Sequence, residues 1–242
     1  MHGKASSPLD PDLSPLYNGL ANAGFDVIAP YMPWSNTVWD GSMCEAMNYI
    51  DELAAQEATK GNHAIIAGHS MGGAHALIYA ATSPATEVKA IVALAPGHFP
   101  QLELPLLTVF DPGTAASITS SIDSAEAMVA SGDGDVSSDT FYTLIPYLSN
   151  PLLQISATAI DYLSYHALYQ YPDINDVLPS IELPVLWLAG TEDPLTNLYD
   201  MPALFSRITS PNSIYQEVTG DHLSIVSNSA AAIVLWISSL GL

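Results

Sequence analysis

The sequence predicts an α/β fold in which a mostly parallel sheet is flanked by helices and covered by an inserted helical cap. Short apolar runs alternate with segments of helical periodicity, and this alternation is typical of βα units. The alternation stops between Phe99 and Ser180. At 242 residues the chain suits one domain with an insertion. We therefore assign residues 1–98 and 181–242 to the core and residues 99–180 to the cap.

Five apolar runs bounded by turn-forming residues are predicted as strands. They are residues 25–30, 63–67, 88–95, 183–189 and 213–218. Helical spacing of apolar residues predicts core helices at residues 43–60, 71–81 and 229–240. Within the cap, residues 124–130 and 152–169 also have a helix-like pattern.

The charge of the chain excludes several classes of partner. Four Lys and Arg stand against 25 Asp and Glu, for a net charge of −21. So few cations cannot neutralise nucleic-acid phosphates or an anionic membrane surface. No apolar stretch reaches the ~18 residues of a membrane span. Cys44 is the only cysteine, so no intrachain disulfide can form.

As written, the sequence shows no targeting segment and predicts a cytoplasmic protein. A signal segment upstream would direct it to the periplasm or outside the cell. The oligomeric state is not predicted.

The strongest chemical signal is the run Gly68-His69-Ser70-Met71-Gly72. It follows a predicted strand directly and precedes a predicted helix, as a nucleophile elbow requires. Such a turn exposes a serine hydroxyl at the carboxyl end of the sheet. Ser70 is therefore the candidate nucleophile.

A serine hydroxyl needs a general base, and that base needs an acid to orient it. His222 follows the last predicted strand in the run TGDH, and Asp193 follows the preceding strand in GTEDP. Glu192 is the alternative acid. The order Ser70, Asp193, His222 is the order of α/β-type serine hydrolases, and the residue before Pro194 is held extended.

Two backbone N–H groups should bind the oxyanion of the reaction. One is the N–H of Met71, and the other is that of Lys4 in the run His2-Gly3-Lys4. We expect substrate contacts from His98, at the carboxyl end of a strand, and from Trp34. A structural hydrogen bond for His98 and a buried position for Trp34 are the alternatives.

No zinc-type spacing and no nucleotide-binding glycine motif occurs in the sequence. We therefore expect no metal and no cofactor, and a small-molecule acyl substrate as the partner.

Together, the runs HG, GHSMGG, GTEDP and TGDH resemble those of the α/β-hydrolase superfamily over essentially the whole chain. With MHGK, PWS at residues 33–35 and APGH at residues 95–98, the chain is similar to a group of generally described bacterial serine hydrolases. The resemblance implies that the HG loop follows a central strand, located between the strands at residues 25–30 and 63–67.

Only Met1 precedes the HG run, so that central strand is not within this sequence. Three arrangements are open: residues 25–30 pair directly with residues 63–67, a partner chain fills the gap, or the sequence is a truncated record of a longer protein. We favour truncation.

The sequence thus predicts a serine hydrolase that cleaves an ester or related acyl bond through an acyl-enzyme. The alternative is a catalytically silent fragment or binding scaffold of the same fold.

Overall fold

The computed structural model describes residues 1–82 and 84–242. Six strands occur in these residues, in chain order β1 (Ala64–His69), β2 (Val88–Leu94), β3 (Ser137–Leu144), β4 (Leu152–Thr158), β5 (Val185–Gly190) and β6 (Ile214–Val218). Four of them form a parallel sheet in the order β1-β2-β5-β6. The predicted α/β fold with a mostly parallel sheet is confirmed.

Eleven α-helices in the described residues surround the strands: α1 (Ser14–Asn22), α2 (Met43–Ala58), α3 (Met71–Ala81), α4 (Pro100–Phe110), α5 (Pro112–Ser131), α6 (Ala159–His166), α7 (Ile174–Val177), α8 (Pro194–Leu198), α9 (Met201–Phe205), α10 (Ser224–Asn228) and α11 (Ala230–Ser239). Short 3₁₀ helices occupy Pro11–Leu13 and Leu178–Ser180.

The sheet separates two apolar clusters. One contains buried residues of α2 and α3 and extends into the cap, and the other contains those of α1, α10 and α11. Because both faces of the sheet are covered, its central strands read as continuous apolar runs rather than as alternating ones. Every residue of β5 is buried.

The predicted strand at residues 25–30 is wrong. This segment is irregular, and none of the backbone hydrogen bonds in the described residues joins it to β1. A cavity separates the two, so the segment has no ladder partner. Direct pairing of residues 25–30 with 63–67 is therefore also wrong.

The cap is not wholly helical, and the helix predicted over residues 152–169 is wrong in its first half. β3 and β4 form an antiparallel hairpin, and α6 begins only at Ala159. Alternate residues of the hairpin face the core, including Phe141, Thr143, Ile155 and Ala157. This period of two is typical of a half-buried strand. The helical patch at residues 124–130 lies within α5, as predicted.

No helix in the described part of the chain has the length and apolar character needed to cross a membrane.

Candidate active site

Ser70 occupies a sharp turn between β1 and α3. Its backbone has φ 55° and ψ −122°, a conformation that residues other than glycine rarely adopt. A Cβ at Gly68 would lie 2.0 Å from the carbonyl oxygen of Gly72, so the turn closes this tightly only because residue 68 is glycine. The strand–turn–helix arrangement is that of a nucleophile elbow.

The loop of His2 and Gly3 lies directly against this elbow. A Cβ at Gly72 would be 2.6 Å from the carbonyl oxygens of both Met1 and His2, and a Cβ at Gly3 would be 3.0 Å from the Cβ of Ser70. Glycine at positions 3 and 72 therefore lets the two backbones approach each other.

Trp34 contacts the same loop through a hydrogen bond and packs against a neighbouring ring. Its Nε1 donates to the carbonyl of His2 at 3.0 Å, and its ring stacks on that of His75 at 4.6 Å. The side chain is fully buried. Trp34 thus lies beside the site as a support for the loop, in the buried position that was the alternative to substrate contact.

His222 lies between Ser70 and Asp193. Its Nε2 is 2.9 Å from the hydroxyl of Ser70, and its Nδ1 is 2.8 Å from Oδ2 of Asp193. All three side chains are buried, with Ser70 the most exposed at 7%. The structure thus brings together three residues that are far apart in the sequence.

Asp193 is fixed independently of its contact with the imidazole. It precedes Pro194 in extended conformation and caps α8, where its Oδ1 accepts a hydrogen bond from the N–H of Leu195 at 2.9 Å. Glu192 is exposed. Asp193, rather than Glu192, is therefore the carboxylate at His222.

Two aromatic side chains enclose the imidazole of His222. Tyr147, in the loop of the β3–β4 hairpin, lies over the ring at a centroid distance of 4.3 Å. On another side, Nε2 of His69 donates to the carbonyl of His222 at 2.7 Å. Burial lowers the pKa of His69 to about 3, so this neighbour is neutral and adds no charge beside His222.

The side chain of Lys4 extends into the cap. Its Nζ donates to the carbonyl oxygen of Leu144 at 2.6 Å. Burial lowers the pKa of this ammonium to about 8, while the charge of Glu103 acts in the opposite direction. Lys4 can therefore serve the site only through its main-chain N–H.

His98 is buried and directly follows Gly97, which lies beside Ser70. A Cβ at Gly97 would be 3.9 Å from the hydroxyl oxygen of Ser70. Nε2 of His98 is bonded to the carbonyl of Tyr165 at 2.8 Å, and its Nδ1 is 4.0 Å from Oε2 of Glu103. Burial lowers the pKa of His98 well below its usual range. His98 therefore makes the structural hydrogen bond that was the alternative to substrate contact.

Two residues of the site were not anticipated from the sequence. Tyr147 comes from a cap loop that carries no motif, and only the folded hairpin places it over His222. His69 lies within the GHSMG run, but its role as a donor to His222 depends on the three-dimensional approach of two loops. Within residues 1–82 and 84–242, no cluster of His, Cys, Asp and Glu could hold a metal ion.

The sheet, the elbow and the order of the three residues define a serine-type α/β hydrolase. Residues 39–220 match the family described as serine aminopeptidase, S33. This match spans more than half of the chain, and the chain belongs to that family. No curated protein matches the sequence significantly.

Several solved structures have a similar fold. A monoacylglycerol lipase of Paleococcus ferrophilus is 21% identical with a TM-score of 0.62, covering 99% of this chain and 92% of that one. The esterase domain of a Rhodothermus marinus protein is 15% identical with a TM-score of 0.61, covering 98% and 84%. A Pyrococcus furiosus esterase is 13% identical with a TM-score of 0.60, covering 99% and 79%. At these identities the similarity concerns the fold alone.

Proposed function

We propose that the protein is a serine hydrolase that cleaves carboxylic esters or related acyl bonds through an acyl-enzyme. The observation that carries the proposal is the continuous hydrogen-bonded chain from Asp193 through His222 to the Ser70 hydroxyl, with links of 2.8 and 2.9 Å. Both distances lie in the range for proton transfer between a nucleophile and its base.

In the first half of the reaction, the Ser70 oxygen attacks the carbonyl carbon while Nε2 of His222 takes the hydroxyl proton. Asp193 holds the Nδ1–H tautomer and stabilises the imidazolium that forms. The tetrahedral intermediate then expels the alcohol, which receives the proton from Nε2. In the second half, water attacks the acyl-serine by the same route and releases the carboxylic acid.

The negative oxygen of each tetrahedral intermediate is assigned to the N–H groups of Met71 and Lys4. Met71 is the first residue of α3, so its N–H has no acceptor within the helix. The close packing of Gly3 on Ser70 supports the assignment of the second donor to the N–H of the following residue, Lys4. Removing one such donor typically lowers the rate about 10² to 10³-fold.

The net charge of −21 disfavours anionic substrates at long range, so we propose neutral esters as the substrate class. Structures of similar fold include a lipase and esterases, which supports an oxygen ester as the first choice. The family description as a serine aminopeptidase makes aminoacyl amides the second class to assay.

The proposal is tested with p-nitrophenyl esters of graded acyl length, alongside aminoacyl p-nitroanilides. We expect ester hydrolysis by the wild type, loss of at least about 10³-fold in Ser70→Ala, and no effect of Ser120→Ala, an exposed serine of α5. A fluorophosphonate probe should label the wild type once and Ser70→Ala not at all.

Labelling that persists in Ser70→Ala would overturn the assignment of the nucleophile. A folded wild type that neither reacts with the probe nor hydrolyses any substrate would favour the catalytically silent scaffold instead.

A further inference from the structure

The main chain of Lys4 makes no hydrogen bond of its own. In the part of the chain that the structure describes, neither its N–H nor its carbonyl has a partner in the protein. The neighbouring chain is bonded on both sides of it. The carbonyl of His2 accepts from Nε1 of Trp34, and the carbonyl of Ser6 accepts from the N–H of Asn36 at 2.9 Å. No main-chain bond therefore fixes the direction of the Lys4 N–H.

The residue that follows Lys4 has an unfavourable backbone conformation. Ala5 has φ 55°, in the left-handed region that residues other than glycine rarely adopt. Such a conformation persists only where the surrounding contacts determine it. The segment of Lys4 and Ala5 therefore needs a contact that its main chain does not provide.

The ammonium of Lys4 provides such a contact. Its Nζ donates at 2.6 Å to the carbonyl oxygen of Leu144, which is 140 residues away in the chain. Leu144 is buried and is the last residue of β3. Three residues later the hairpin loop carries Tyr147, whose ring lies over His222. One side chain thus connects the loop of the second oxyanion donor with the loop that covers the base.

This hydrogen bond is made by a cation in the interior of the protein. Lys4 is 8% exposed, and no carboxylate of the described residues lies within ion-pair distance of its ammonium. The charge of Glu103 acts on it from farther away, and the other titratable groups that it affects are the neutral rings of His75, His98 and His166. Because burying a lysine without a direct ion pair is unfavourable, folding stability does not explain a lysine at this position.

We propose that Lys4 is a positioning residue for the oxyanion: its ammonium holds the carbonyl of Leu144 and thereby fixes the direction of its own main-chain N–H. The inference rests on the proposed function, because it requires that N–H as the second oxyanion donor. Such donors are effective when they are already aimed at the developing charge, so that no reorganisation is needed during the reaction. The side chain should therefore affect the transition state more than the binding of substrate.

The test replaces Lys4 by methionine, which has a similar length and no charge and keeps the main-chain N–H. On the p-nitrophenyl ester that the wild type hydrolyses fastest, we expect Lys4→Met to lower kcat by about 10- to 100-fold, less than the complete loss of a donor. KM should change by less than about twofold. The matched control is Lys89→Met, because Nζ of Lys89 makes the same kind of bond, to the carbonyl of Thr86 at 2.6 Å, at the amino end of β2. We expect wild-type kinetics from this control.

Two inhibitors separate positioning from a general disturbance of the site. A trifluoromethyl ketone with the acyl chain of the substrate is attacked by Ser70 and forms an oxyanion, whereas the corresponding trifluoromethyl carbinol cannot form this adduct. We expect Lys4→Met to raise the inhibition constant of the ketone by the factor by which it lowers kcat/KM. The inhibition constant of the carbinol should remain unchanged.

A second variant addresses the charge that the substitution leaves behind. In Lys4→Met the buried carboxylate of Glu103 loses its compensating cation, so the measurements are repeated on Lys4→Met/Glu103→Gln. The glutamine oxygen can still accept from the N–H of Phe99 and from the hydroxyl of Tyr199, which both bond to Oε1 of Glu103. We expect the same loss of kcat and the same selective weakening of the ketone in the double variant.

Wild-type kcat in a folded Lys4 variant, or equal weakening of the two inhibitors, would overturn the proposal. Failure of both Lys4 variants to fold would also overturn it, because the ammonium would then be required for the fold itself. Failure of the proposed function gives a different result: the wild type itself would neither hydrolyse esters nor react with the fluorophosphonate probe, and this inference would fail with it.

Discussion

Ser70 combines a reactive hydroxyl with a backbone conformation that is unfavourable by about 1–3 kcal/mol for a residue other than glycine. The surrounding hydrogen bonds hold it there: its N–H donates to Leu94, and its carbonyl accepts from Gly97. Both partners lie at or just beyond the carboxyl end of β2. The position of the candidate nucleophile is therefore determined by the neighbouring strand as well as by its own turn.

At the same scale, we predict that Asp193→Asn lowers kcat for ester hydrolysis by about 10⁴-fold. An amide cannot hold the Nδ1–H tautomer of His222, whereas asparagine caps a helix as well as aspartate does. Leu195 should therefore keep its capping bond, and the thermal midpoint should change little. Steady-state kinetics and thermal unfolding of the same preparation separate the two effects.

The matched control is Glu192→Gln, which changes the adjacent exposed carboxylate. We expect this variant to retain wild-type kcat. If Glu192→Gln were the more damaging substitution, the acid would be misassigned.

At the scale of elements, the parallel strands and the elbow were predictable because each carries a local signal. Residues 90–95 are apolar throughout, and the glycine at position 68 is required by contacts within one turn. The irregular segment at residues 25–30 was not predictable in this way. Its sequence suits a strand, but a strand also needs a neighbour that supplies hydrogen bonds.

The cap shows a different limit of sequence reasoning. Residues 152–158 were predicted as helical, yet they pair with β3 across a loop. Short apolar segments are compatible with both helical and strand periodicity. Here the packing of Phe141 and Ile155 into the core favours the strand. Likewise, no motif indicates that the hairpin loop brings Tyr147 over His222.

That hairpin leads to a prediction for Tyr147. Its ring lies over that of His222 at a centroid distance of 4.3 Å, and aromatic pairs of this kind contribute about 0.5–1.5 kcal/mol. We expect Tyr147→Ala to lower kcat/KM by about 2- to 10-fold, and Tyr147→Phe to keep the wild-type value. Kinetics on one neutral ester, measured across pH, check both variants. A loss in Tyr147→Phe equal to that in Tyr147→Ala would show that the hydroxyl matters instead.

At the scale of the whole molecule, five buried histidines outside the candidate triad are expected to make stability depend on pH. Burial is the largest cause of a lowered pKa at each of them: to about 4 for His2, to about 3 for His69, His75 and His166, and well below the usual range for His98. All five are therefore neutral in the folded protein near pH 7.

The difference in proton uptake between the folded and unfolded chains determines how the free energy of unfolding changes with pH. Below the ordinary histidine pKa of about 6.5, the unfolded chain binds protons that the folded chain excludes, so the free energy of unfolding falls as pH falls. Each buried histidine contributes up to about 1.4 kcal/mol per pH unit, from pH 6.5 down to its folded pKa. Above pH 6.5 these residues make no further difference.

We therefore predict that the urea midpoint changes little between pH 8 and 7 and falls steeply between pH 6 and 5, a window above the range in which most carboxylates titrate. His75→Phe should reduce this slope, because it removes one buried titrating group and keeps an aromatic ring against Trp34. His63→Gln, at an exposed position, is the control and should leave the slope unchanged. A midpoint that is flat from pH 7 to 5, or an equal effect of the two variants, would show that the buried histidines do not control acid stability.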